Sequence, residues 1–221
     1  MRFEHTQTYG FQAAFRGMRN PLESWDKSDS KIKILIGKKQ NDERFEIGEK
    51  DLELAQRLIA AGNEHAKFLR QIAVWVDITA PLYFWSECDT YKVGTTANST
   101  STMHKLGYKE FREELFETRG YEGTSDLLQD RINRLNAIRN NWLQAKENGD
   151  TEETNRLFRL MKAELPTSYL QTRTWSANYA VLRNMYFQRR NHRLSEWSED
   201  FVRWISDLPY ARELIMYENK D

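Results

Sequence analysis

The densest run of side chains able to do chemistry lies between Thr90 and His104, where Tyr91, Lys92, Thr95, Thr96, Asn98, Ser99, Thr100, Ser101 and Thr102 follow one another almost without a break. So many short donors and acceptors suit a polar ligand better than an apolar core. Gly94, in their midst, allows the backbone either to approach a ligand closely or simply to turn. A second concentration comprises Asn178, Asn184, Arg189, Arg190 and His192. Arginine donates two parallel charge-assisted hydrogen bonds to a phosphate, and asparagine reads a base edge through one donor and one acceptor. With a helix from Thr174 to about Arg190, Asn178, Met185 and Arg189 share a narrow sector, and His192 joins them if the helix persists. The alternative for Arg189 to Arg193 is positive charge that complements the dipole at a helix C-terminus.

Other reactive groups stand apart. The lone cysteine, Cys88, excludes an internal disulfide, and Asp89 and Glu87 beside it argue for a buried or inert thiol. His5, His65, His104 and His192 are too scattered for a zinc pattern, so no metal is expected. Glu64, Asp77 and Glu87 form no acid–base pair by spacing, and no residue receives a catalytic role. Trp175, Tyr179, Tyr186 and Phe187 interleave with Arg173, Arg183, Arg189 and Arg190 as in a single-strand platform. The acidic Glu196, Glu199 and Asp200 follow at once, which argues against nucleic acid.

The elements that must position these groups are legible from periodicity. Ile32, Ile34 and Ile36 alternate, a polar turn spans Lys38 to Asp42, and Arg44 to Ile47 completes a hairpin. Glu49 to Ala61 carries Leu52, Ala55, Leu58 and Ile59 at helical spacing and stops at Gly62. Ile72, Val74, Val76 and Ile78 alternate with Trp75 and Asp77 as a core strand, after which Pro81 is expected as the first residue of a helix. From Ser125 an apolar stripe of Leu128, Ile132, Leu135, Ile138 and Trp142 runs to a break at 147–150. Asp150 and Glu153 form a capping box, and Leu157, Leu160 and Met161 continue to Pro166. A helical hairpin over about 125–165 is predicted, and the fold class is α+β, a small antiparallel sheet with a majority of helix.

At 221 residues, 39% hydrophobic, the chain fits a single domain over 1–221 with a full core. Its 33 basic and 33 acidic side chains cancel, so binding must come from local pockets rather than a global pull toward nucleic acid or membrane. No signal peptide or run of about 18 apolar residues is present, and a soluble, cytoplasmic protein is expected. The seven Trp, ten Tyr and eleven Phe accompany flat-ring ligands, subunit interfaces or ordinary core packing.

The layout resembles that of the flavin-dependent thymidylate synthases. In that family a histidine and a phenylalanine three residues later precede a strand, Ala-Pro opens a helix, and Arg-His-Arg, seven residues and a serine follow. Here His65, Phe68, Ala80-Pro81, Thr90-Tyr91-Lys92 and Thr100 occupy those places, and Asn98 and Thr102 stand where the family has an acid and an arginine. The family's closing segment is similar to Leu165-Pro166, Thr172-Arg173, Asn178, Asn184, Arg189 or Arg190, His192 and Glu196-Trp197. The resemblance implies FAD held by His65, Tyr91, Lys92, Asn178, Asn184, Arg189 and His192. It further implies a nucleotide such as dUMP on Asn98, Thr100, Thr102, Arg173 and Arg190, methylenetetrahydrofolate as a partner, and a homotetramer. The family reaction, FAD-dependent reductive methylation of dUMP to dTMP, needs no protein nucleophile, because the cofactor carries the difficult step. Replacing Arg-His-Arg removes charge-assisted hydrogen bonds of about 1.5–3 kcal/mol each. The alternative is therefore a noncatalytic nucleotide-binding or nucleotide-sequestering protein on the same fold.

Overall fold

The computed structural model describes residues 1–36 and 41–218. The class is α+β with a small antiparallel sheet. Its strands are β1 (Arg2–Tyr9), β2 (Lys31–Ile36), β3 (Asn41–Glu46), β4 (Ala73–Pro81), β5 (Thr96–Ser99) and β6 (Leu170–Asn178). Strand order in the four-stranded sheet is β1-β4-β6-β5, and β2 and β3 form a separate antiparallel pair running from Lys31↔Glu46 to Ile36↔Asn41. The expected turn over Lys38 to Asp42 falls partly outside the described residues, and Asn41 and Asp42 are already paired in β3. β1 was not expected. Its residues are mostly exposed and polar, and without a buried face they give no alternating apolar signal.

The chain forms two compact units, one of residues 1–2, 78–90 and 98–174, the other of 3–77, 91–97 and 175–221. The second contains α1 (Phe11–Met18), α2 (Glu49–Ala60), a 3-10 turn over Ala66–Gln71 and α6 (Tyr179–Arg189). A π-helical stretch over Glu196–Phe201 then leads into α7 (Val202–Ser206). As expected, α2 ends just before Gly62, whose φ of 106° favours a residue without a Cβ. Its first turn holds a surprise. Asp51 is fully buried, paired with Arg19 at 2.6 Å, and accepts from the Ser28 and Ser30 hydroxyls. Asp29 accepts from the Lys50 and Asp51 amides, so two acids serve the N-terminal end where the helix dipole favours them.

The first unit contains α3 (Leu82–Cys88), α4 (Ser125–Glu147) and α5 (Thr151–Glu164). Leu128, Ile132, Leu135 and Trp142 of α4 share a core with Leu157 and Met161 of α5. Asp150 caps α5 by accepting from the Glu153 amide at 3.0 Å. Leu160, expected in that stripe, is 36% exposed, because Leu157 and Met161 already fill the buried sector four residues apart. Pro81 is not the first helical residue. It ends β4 in extended conformation, and α3 starts at Leu82. Among the described residues no helix is long and apolar enough to cross a membrane.

Candidate functional site

The segment from Thr174 to Asn178 belongs to β6, not to a helix as expected. Trp175 and Ala177 are buried while Thr174 is exposed, so the period is two up to the boundary. Asn178 is then the N-cap of α6, accepting from the Val181 amide at 3.1 Å. The expected ligand face through Asn178, Met185 and Arg189 does not form: Met185 is fully buried, and the asparagine is occupied with capping. His192 lies beyond the helix end, where its Nδ1 accepts from the Leu194 amide and its ring meets Trp197 edge-on. In the neutral imidazole that leaves the proton on Nε2.

Arg189, at the C-terminal end of α6, nonetheless meets the other predicted block. Its Nε donates to the Tyr91 hydroxyl at 2.9 Å, and its guanidinium lies 5.5 Å from the Tyr91 ring centre and 4.8 Å from that of Trp197. The same hydroxyl donates to Gln188 Oε1 at 2.7 Å, and Gln188 in turn donates to Asn184 Oδ1 at 3.1 Å. The turn that brings Tyr91 there is fastened by Thr95, whose hydroxyl donates to the Tyr91 carbonyl. It also depends on Gly94. At φ 78°, a Cβ there would come within 3.0 Å of Val181 Cγ2 and 3.1 Å of Asn178 Nδ2, so close packing on α6 explains this glycine. Lys92 is exposed beside Tyr91.

Arg190 is already engaged. It pairs with Glu218 at 3.0 Å and lies over the Phe187 ring at 4.9 Å. His65, exposed, lines a cleft of about 570 Å³ with Met18, Leu58, Phe68 and Gln71.

The first unit holds the remaining candidates. Thr96–Ser99 is a short exposed strand, and it is followed by the Thr100 amide donating to the Thr172 carbonyl at 2.9 Å. Much of the polar run is therefore sheet edge. Asn98 and Thr100 are exposed, whereas Thr102 accepts from Lys162 Nζ at 2.7 Å. Arg173 lies 4.3 Å from the Trp85 ring centre, donates from Nε to Gln171 Oε1 at 3.0 Å and pairs with Asp89 at 2.7 Å. Gln171 also donates to the Thr100 carbonyl at 2.8 Å. Cys88 is buried. Trp175 and Tyr179, offered above as stacking aromatics, are core residues, and burial pushes the Tyr179 phenol well above its ordinary pKa.

Sequence reasoning missed Gln188, Trp85 and Gln171 and gave Asp89 no place in the site, whereas Trp197 entered through the family resemblance alone. Gln188 lies one helical turn beyond Asn184, and Gln171 two residues before Arg173 on β6, so each stands beside a candidate residue on its element. The contacts of Trp85 and Asp89 with Arg173 span long sequence separations and leave no such trace.

No family model matches the sequence, and neither does any curated protein. The fold, however, is that of the flavin-dependent thymidylate synthases. The solved structures to which it is similar include one from Helicobacter pylori complexed with FAD and dUMP, at a TM-score of 0.67 and 19% identity, covering 97% of this chain and 98% of that one. A second structure of thymidylate synthase X from Helicobacter pylori, also with FAD and dUMP, gives 0.67 at 17% identity and covers 97% of each chain.

Proposed function

We propose that the protein binds a nucleotide such as dUMP and uses FAD for thymidylate synthase-like chemistry, the whole chain serving as one functional domain of a cytoplasmic homotetramer. The observation that carries this reading is the contact of Tyr91 with Arg189, since it joins the two blocks that resemble the family in sequence. The groups around that contact, one guanidinium, the exposed Lys92 ammonium, the Asn184 amide and the partly exposed Tyr91 ring, suit a phosphate-bearing ligand with a flat ring. His65, Tyr91, Lys92, Asn178, Asn184, Arg189 and His192 would hold FAD, which when bound supplies hydride, with methylenetetrahydrofolate as the carbon donor. Tyr91 would fix the guanidinium plane. Asn98, Thr100, Thr102 and Arg173 would seat the nucleotide.

The alternative is a noncatalytic nucleotide-binding protein on the same fold, and one observation bears on both readings. Arg173 and Arg190 are neutralised by Asp89 and Glu218, so a phosphate must compete for them. Equilibrium dialysis with FAD and with dUMP separates the readings. Uptake of both supports the enzyme, and dUMP alone supports the binding protein. Arg189→Ala should weaken retained binding by roughly tenfold or more. Binding of neither ligand would remove both readings.

A further inference from the structure

Helix α4 borders a cleft that the nucleotide reading leaves unused. Tyr83, Glu117, Tyr121, Arg131, Pro166 and Ser168 are among the residues lining this space of about 580 Å³. That is within the size range of small-molecule sites. Ser168 is 9% exposed, and its hydroxyl has no hydrogen-bond partner among the described residues. An unpaired buried hydroxyl destabilises the free protein, so its presence calls for an explanation.

The charges around it are unevenly satisfied. The Ser168 carbonyl accepts from the Glu117 amide at 2.8 Å, which fixes the two residues side by side. Arg119 holds the Glu117 carboxylate through Nε and Nη2, both at 2.9 Å. Burial would push that carboxyl's pKa up, but the Arg119 bonds outweigh it and keep the group ionised and paired. Arg131 is exposed and has no ion pair among the described residues. An adjoining cleft of about 300 Å³ shares Tyr121 and Arg131 and is also lined by Arg134, Asp130 and Glu164, so its charges are mixed. Within the larger cleft, with Glu117 paired, the charge left over is that of Arg131, and the same cleft is lined by the residue with the unused hydroxyl.

We propose that this cleft binds a small organic oxyanion, a phosphate monoester or a carboxylate, with Arg131 taking the charge, the Ser168 hydroxyl the buried hydrogen bond, and Tyr121 and Pro166 the carbon body. The site is independent of the one assigned to FAD and nucleotide. Calorimetric titration of the full chain with glycerol phosphate, succinate and inorganic phosphate tests it. Binding of glycerol phosphate or of succinate supports the proposal and identifies the source of the anion. Arg131→Gln then weakens that binding about tenfold or more. Ser168→Ala weakens it too, yet raises the Tm of the free protein, because an orphaned hydroxyl is gone. Arg189→Ala leaves it unchanged, so failure here is distinct from failure of the nucleotide site. Absence of binding by the two organic probes, an unchanged affinity in Arg131→Gln, or a lower Tm in free Ser168→Ala would each overturn the proposal.

Discussion

Asp89 sets the working charge of Arg173. Their 2.7 Å contact combines a guanidinium that is 15% exposed with a carboxylate that is 56% exposed, so solvent screens the acid more than the base. A phosphate arriving at Arg173 must displace an aspartate held by partial burial of only one partner. Asp89→Asn should accordingly tighten dUMP binding severalfold, with the gain shrinking as salt is added. Equal or weaker affinity in that variant would place the nucleotide phosphate elsewhere. Residue types and the family resemblance had named Tyr91, Lys92, Asn184, Arg189 and Arg173 as candidates. They could not show that Arg173 and Arg190 are already paired, since Asp89 is far from Arg173 in the chain and Glu218 far from Arg190. Nor could they show that Asn178 spends its side-chain oxygen on the Val181 amide, though a capping asparagine before a helix is a pattern in its own right.

Among elements, the strand-to-helix junction at Asn178 and the turn before it act together. Gly94→Ala places a Cβ against Val181 and Asn178 at a positive φ and should cost about 1–2 kcal/mol. If the turn positions Tyr91, nucleotide affinity falls along with the urea midpoint, whereas a midpoint change alone would separate the turn from the site. The N-terminal turn of α2 makes a different kind of claim. Removing Asp51 leaves Arg19, 5% exposed, without its counter-charge, so Asp51→Ala should lose about 3–5 kcal/mol. Burial pushes the Asp51 carboxyl up, but bonds from Ser28, Ser30 and Arg19 prevail and hold its pKa below the ordinary aspartate value. The folded pKa being depressed, this contribution is fully present above about pH 3.9 and is lost as pH falls through the folded value. Urea midpoints of wild type and Asp51→Ala should therefore converge only in strong acid, and convergence near neutrality would refute the assignment. Periodicity revealed α2 but not this network, because a buried acid looks like any first-turn acid until its partners fold around it.

For the whole molecule, the likeness to solved structures at 17% and 19% identity extends over nearly all of the chain. Apolar stripes survive such divergence because many side chains of similar volume fill the same core. The hairpin of α4 and α5 and the alternation of β4 were legible for that reason, and β1 and the exposed β5 were not, lacking a buried face. A cavity for a charged ligand is less tolerant, since each lost cation removes a specific bond. Thermal denaturation tests whether the ligand site survived along with the core. A ligand bound only by the native state stabilises it by about 2.7 kcal/mol at a hundred times its Kd. In a chain of this size that corresponds to a rise of roughly 5–10 °C in Tm. FAD and dUMP should each produce such a shift if both sites persist, and dUMP alone should do so if the scaffold now only holds nucleotide. Arg189→Ala should abolish the shift, measured against the variant's own unliganded Tm, which should itself fall because the guanidinium packs on the fully buried ring of Trp197. A shift that survives this variant at full size would detach ligand binding from the Tyr91–Arg189 contact on which the functional reading rests.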